Sequence, residues 1–330
     1  MKNKIPKVVV IGGGTGVFNI LTSLKNYPID LSAIVTIADD GGSSGALRED
    51  FGILPPGDIR RALVALAPET STKIIDLFNY RFNIGNGLKG HSFGNLFLTA
   101  LERINGNFNQ AIKDAGEILN IKGRVIPVSL KECKLVAKLD DGSFVFGETN
   151  IDIPKKYKKT FVIKKLFLNH PVDANPDALK AIRAADYIVV GPGDLYTSIV
   201  PNFLVSKIKN CFAKSKAKKI YICNIMTKFS ETNGFRAVDF LNILEKYICK
   251  NCFDFCVIND YRRIPKKLLS KYKREKKSVP VFSNNDFKNY KKLKIIFKEI
   301  AKTNNLLRHD PEKIGDILYN EIISPLGLDK

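Results

Sequence analysis

The chain has no apolar run near the roughly 20 residues that cross a bilayer as a helix, so no membrane-spanning segment is expected. Met1 to Lys7 is polar and leads straight into a short apolar stretch; a secretory leader is not expected, and a cytoplasmic protein is. Histidine is scarce, with 3 in 330 residues. Six cysteines are present, but only Cys249-x-x-Cys252 has a redox or zinc spacing, and no second pair or nearby histidine completes a zinc site. They read as small buried hydrophobes. Acid is short as well: 33 Asp and Glu against 53 Lys and Arg leave a net charge of +20. The lysines are spread over Lys155–Lys165, Lys207–Lys219, Pro265–Lys277 and Lys288–Lys298, with no RNA-binding aromatic signature and no helix-turn-helix pattern. Specific nucleic-acid binding is therefore not expected; attraction of phosphorylated small molecules is.

The chain is organised around Val8 to Gly16. Three valines and an isoleucine make a fully apolar run that suits a buried parallel strand. Gly12, Gly13, Gly14, Thr15 and Gly16 follow, and then a helical pattern carrying Val17, Ile20, Leu21 and Leu24. A strand that turns through glycines into a helix N-terminus is built for an anion: the first N–H groups are free, and glycine lets a phosphate approach the backbone. The spacing Gly12-x-Gly14-x-x-Val17 lacks the third glycine of the dinucleotide fingerprint, which weakens an NAD-type reading.

A second apolar run, Leu31 to Ile37, ends in Asp39-Asp40-Gly41-Gly42-Ser43-Ser44. An acid at this place holds either a ribose hydroxyl or Mg²⁺ beside phosphates. The strand Tyr187–Val190 ends in Gly191-Pro192-Gly193-Asp194-Leu195-Tyr196-Thr197-Ser198, and Lys219–Cys223 ends in Asn224-Ile225-Met226-Thr227. In a doubly wound sheet all such loops open on one edge, where ligands bind near the reversal of strand order. Four polar loops after four apolar strands make a site there.

Other stretches carry candidates with less context. Asp58 reads as the N-cap of a helix to about Leu66, and Arg48, Arg60 and Arg61 are placed to reach phosphate or to be solvated. His91 and Asn95 stand where a glycine-flanked loop opens a helix, and His91 is the one candidate for a general base. Residues 123–167 read as a β-rich insertion with an Asp141-Gly142 hairpin turn and nothing chemical in it. Short strands are expected at Val279–Phe282 and Leu293–Ile296 within a lysine-rich segment, 261–305. Asp310 reads as the N-cap of a last helix with Pro311 at its first position.

Seven stretches together resemble the YvcK/CofD-like family: Gly12–Gly16, Thr36–Arg48, Pro55–Arg60, Gly90–Leu96, Gly191–Asn202, Asn224–Thr227 with Glu231-Thr232, and Arg308–Lys313. They run in family order over nearly the whole chain. The length and the Gly90–Leu96 stretch favour the bacterial branch called gluconeogenesis factor. The resemblance implies a single Rossmann-like three-layer α/β/α domain, a mostly parallel sheet, and a nucleotide-sugar site. It implies that Gly13 to Gly16 face the phosphates and that Asp39 or Asp40 matches a metal-holding acid. Asn224, Thr227 and Arg308 would line the pocket. Departures fall at the sugar end: Lys228-Phe229-Ser230 replaces Gln-Pro-Gly, and Arg61 replaces an asparagine. The branch implies a cytoplasmic UDP-sugar-binding regulator of cell shape and carbon metabolism, with a homo-oligomer allowed and no tightly bound organic cofactor. The other branch implies an Mg²⁺-assisted transferase that moves phospholactate from a nucleotide-diphosphate donor.

Overall fold

A computed structural model describes residues 5–153, 161–283, 287–303 and 306–324. The first strand, β1 (Lys7–Gly12), runs into helix α1 (Gly14–Leu24) and returns as β2 (Asp30–Val35). Five helices follow: α2 (Gly42–Phe51), α3 (Gly57–Leu66), α4 (Thr72–Asn79), α5 (Phe93–Asn105) and α6 (Phe108–Ile118). Then come β3 (Arg124–Pro127), β4 (Leu135–Leu139), β5 (Phe144–Phe146), the short helix α7 (Glu148–Asp152) and β6 (Ile163–Leu168). Helix α8 (Pro176–Ala184) leads to β7 (Tyr187–Val190), and α9 (Val200–Leu204) and α10 (Ile208–Lys214) lead to β8 (Lys218–Ile222). The chain continues through α11 (Ala237–Tyr247), β9 (Phe255–Asn259), α12 (Lys266–Lys276), β10 (Lys294–Lys298) and α13 (Pro311–Asp316).

Seven strands form one sheet in the order β10-β9-β8-β7-β1-β2-β3, and every pairing in it is parallel. Parallel strands need crossovers, and right-handed crossovers that step in opposite directions from the centre put their helices on opposite faces. One group is α1 with α3 and α13; another is α8, α9 and α10. The result is a Rossmann-like α/β/α sandwich. Burial on both faces explains the unbroken apolar run of β1, where Val8, Val10 and Ile11 are wholly inaccessible. Strand order reverses between β1 and β7, which puts the loops after those two strands on either side of one crevice.

The insertion differs from its expected bounds. Arg124–Pro127 is the edge strand of the main sheet, in parallel register with Ser32–Val35, and only β4, β5 and β6 form the small antiparallel sheet. The β4–β5 hairpin turns at Asp141-Gly142 as expected, with Gly142 at φ 87 and Asp141 accepting from Ser143 N at 2.9 Å. The expected strand at Val279–Phe282 is reduced to an isolated bridge between Met226 and Pro280. Val281 of that stretch is buried in the main core, and its N–H donates to Ile225 O at 2.9 Å.

Candidate functional site

The loop after β1 supplies the floor. Gly13 precedes α1 with no side-chain cap, and Gly14 takes φ 64, a left-handed conformation that favours glycine. The floor is pinned by backbone contact. A Cβ on Gly16 would lie 2.0 Å from the Pro192 carbonyl oxygen, and one on Gly13 would lie 2.6 Å from both Asp58 Oδ2 and Thr36 Cγ2. The loop after β7, which contains the cis Gly191-Pro192 bond, is thus packed against α1. It continues as a π-helical turn, Leu195–Ile199, in which Ile199 N donates to Asp194 O at 3.1 Å.

A cavity of about 680 Å³ opens over this floor. Gly13, Gly14, Thr15 and Gly16 line it from β1–α1, and Thr36, Asp39, Gly41, Gly42 and Asp58 from the next crossover. Gly193, Asp194, Thr197 and Ser198 line it from the loop after β7. Asn224, Ile225 and Met226 come from the loop after β8, and Tyr272, Lys276, Leu307, Arg308 and His309 close the far side. Asn224 Nδ2 donates to Gly193 O at 2.9 Å, while its buried Oδ1 has no hydrogen-bond partner among the described residues. That is an acceptor waiting for a donor.

Acids dominate the inner half. The Asp58 carboxylate accepts the Gly14 N–H, and burial beside Asp39 pushes its pKa up to about 6. It lies inside α3 rather than capping it, since Pro56 holds the N-cap position. Burial together with Asp39, Asp40 and Asp58 pushes Glu148 up to about 8. Burial beside Glu231 and Asp58 pushes Asp194 up to about 7. His309 is driven down to about 4 by burial, so its ring is neutral, and Nε2 lies 3.0 Å from Cys223 O.

The adjacent acids Asp39 and Asp40 part company. Asp39 lines the cavity, and its Oδ1 accepts from Gly41 N at 3.0 Å. Asp40 accepts from Glu148 N at 3.0 Å and Thr149 N at 2.8 Å, so it caps α7 instead of turning to the cavity. Burial first, and then the charge of Asp39, raises the carboxyls of Asp58 and Glu148, and a divalent cation held at Asp39 would relieve the repulsion. Asp40 has both oxygens engaged and does not fit that role.

Several other candidates stand behind the wall. Ser43 Oγ is 3.1 Å from His91 Nδ1 and accepts from Asn95 Nδ2 at 3.1 Å, and Asn95 Oδ1 accepts from Arg60 Nε at 3.1 Å. This chain braces α2 against α5. Ser44 packs at Gly57, where a Cβ would meet its Oγ at 2.4 Å. Thr227 bonds to Val279, and Gly12 and Gly191 sit below the floor at the strand ends. Arg48 is buried against Glu132 and Cys133 O, and Arg60 against Asn79 and Phe78 O, so neither reaches a phosphate; Arg61 alone of the three lines the cavity.

The structure also adds residues with no local signal in the sequence. Glu148, Thr149, Asp152 and Ile153 of the insertion form a wall of the cavity, although residues 123–167 carry no motif. Tyr272 and Lys276 arrive on the lysine-rich helix α12.

Fold and site define a class: a doubly wound α/β protein with a glycine-floored, acid-walled crevice at the reversal of strand order. The family model described as 2-phospho-L-lactate transferase CofD matches residues 8–301, and the chain belongs to that family. It is 41% identical over 317 residues to the gluconeogenesis factor of Bacillus subtilis, covering 96% of this chain and 98% of that protein. It is 41% identical over 320 residues to the gluconeogenesis factor of Halalkalibacterium halodurans, covering 96% of each. A crystal structure of a UPF0052-family protein from Bacillus halodurans superposes with TM-score 0.89 at 38% identity, covering 96% of this chain and 99% of that one.

Proposed function

We propose that the crevice binds a nucleotide sugar of the UDP-sugar class and that the protein is a cytoplasmic regulator responding to it. The observation that carries this reading is the glycine-built N-terminus of α1, where Gly13 to Gly16 line the floor of the cavity with no side-chain cap from the N-cap residue. The diphosphate sits over these N–H groups, with Thr197 and Ser198 opposite. Asn224 and Arg308 face the sugar and base, and the unpaired Asn224 Oδ1 accepts from one of their donors. Asp58 already holds the Gly14 N–H, so an arriving phosphate requires that acid to be protonated or neutralised by a cation. Mg²⁺ held by Asp39 would supply that neutralisation.

Binding is favoured over group transfer because His91 lies outside the cavity and His309 spends its Nε2 on Cys223 O. The raised Glu148 and Asp194 carboxyls favour the second reading, an Mg²⁺-assisted transferase like the family's namesake, since such groups exchange protons near neutral pH. Calorimetric titration with UDP-sugars, GDP and NAD, with and without Mg²⁺, separates the cases. Heat from UDP-sugars alone, with the sugar recovered intact, supports the regulator. Turnover of a nucleotide diphosphate in Mg²⁺ supports the transferase. Binding of NAD alone removes both.

A further inference from the structure

The insertion reaches the cavity through α7, a helix of five residues that is too short to hold itself. Buried Ile151 anchors its middle, and Asp40 caps its first turn. Its far end carries the cavity residues Asp152 and Ile153, and what holds that end is charge. Lys228 Nζ contacts Asp152, lies 2.7 Å from Asp194 Oδ2 and lies 3.4 Å from Glu231 Oε1. The carboxylate oxygens of those three acids all lie within 4.8 Å of one another. Glu231 is wholly buried and is held by Tyr196 N and Thr197 Oγ1, each at 3.0 Å.

We propose that Lys228 is a positioning residue of the site: its ammonium is the fixed cation that clamps the end of α7 onto the loops after β7 and β8, and so sets the cavity wall. The chemistry matches in number. An ammonium has three N–H donors, and three carboxylates from three separate segments converge on it. Without it the acids repel one another around the buried Glu231, and Asp152, the one carried on the short helix, moves away. The lysine itself is held from behind, since Lys228 N donates to Thr232 Oγ1 at 3.0 Å and Lys228 O accepts from Thr232 N at 2.8 Å. Ser230 Oγ adds a second tie, to Asp152 O at 2.8 Å.

The effect on ligand rests on the nucleotide-sugar reading, but the clamp does not, and hydrogen exchange on the full chain without ligand tests it directly. In Lys228→Met, amides of residues 149–153 should exchange about tenfold faster than in wild type while β1 and β7 keep their protection. Lys228→Arg should restore most of the protection. Asp152→Asn should release the same amides, and the Lys228→Met/Asp152→Asn double variant should be no faster than either single one, because each removes the same contact. Unchanged exchange at 149–153 in folded Lys228→Met overturns the proposal, as does a double variant showing the full sum of both effects. UDP-sugar titration should then show affinity several-fold weaker in Lys228→Met and near normal in Lys228→Arg. A wild-type protein that binds no nucleotide overturns the proposed function, and the exchange result still decides the clamp.

Discussion

At Gly14 the backbone conformation, not crowding, excludes other residues: φ is 64, and an added Cβ would meet only Ser198 Oγ at 3.5 Å. A β-branched residue is strained there by about 1–3 kcal/mol, which a domain of this size survives. Gly14→Val is expected to stay folded with a lower Tm and to lose nucleotide binding in calorimetry; full affinity in the folded variant would overturn the placement of the phosphate. The neighbouring acids divide differently. Asp40→Asn should lower stability by about 1–2 kcal/mol in urea unfolding, since a charged acceptor of two α7 N–H groups is weakened. Asp39→Asn should leave stability nearer to wild type and abolish the gain in nucleotide affinity from Mg²⁺. If Mg²⁺ dependence survives Asp39→Asn, the cation is held elsewhere.

The elements around the crevice bring three acids to one place, and stability should register this. Glu148 and Asp194 stand at about 8 and about 7 against ordinary values of 4.5 and 3.8. From about pH 4.5 up to 7 for Asp194 and 8 for Glu148 the folded protein therefore binds more protons than the unfolded chain, and stability falls as pH rises. Asp58, raised to about 6, acts in the same direction between about pH 4 and 6. His309 opposes it there: its value falls from 6.5 to about 4, so stability is lost as pH falls through that range. The expected outcome is a Tm that declines as pH rises from 5 to 8 at low salt, most steeply below about pH 7, because three raised acids outweigh the one lowered histidine. Glu148→Gln should flatten the upper part of that decline; a Tm that rises toward pH 8 in wild type contradicts the raised acids.

For the molecule as a whole the charge of +20 has a separate consequence. Spread lysines draw any polyanion, so weak binding to duplex DNA or RNA is expected at low salt. Filter binding should show it lost steeply with added salt and indifferent to sequence. A sub-micromolar preference for one sequence at physiological salt would disprove this reading.

Period and punctuation determined much of this protein before any folding. The apolar runs of β1, β2, β7 and β8 fall within two residues of their expected places, because a strand buried on both faces must be apolar throughout. The same runs placed the loops at Gly12, Asp39, Gly191 and Asn224 on one edge, since parallel strands share a carboxyl end. Tertiary structure alone decided which residues of those loops face the cavity. Adjacent Asp39 and Asp40 have identical chemistry in the sequence, and only the arrival of α7 turns one into its cap and leaves the other on the wall. Arg48 and Arg60 read from the sequence as either phosphate ligands or solvated helix arginines, and they are neither, because partners far along the chain or on neighbouring helices bury them. Glu148 and Asp152 show no motif at all, and Lys228 shows only as a departure from the family stretch after Asn224–Thr227, because their role exists only where an antiparallel insertion meets a parallel sheet. Local spacing encodes periodicity and turn chemistry; long-range contact, set by packing, chooses which of the resulting side chains meet.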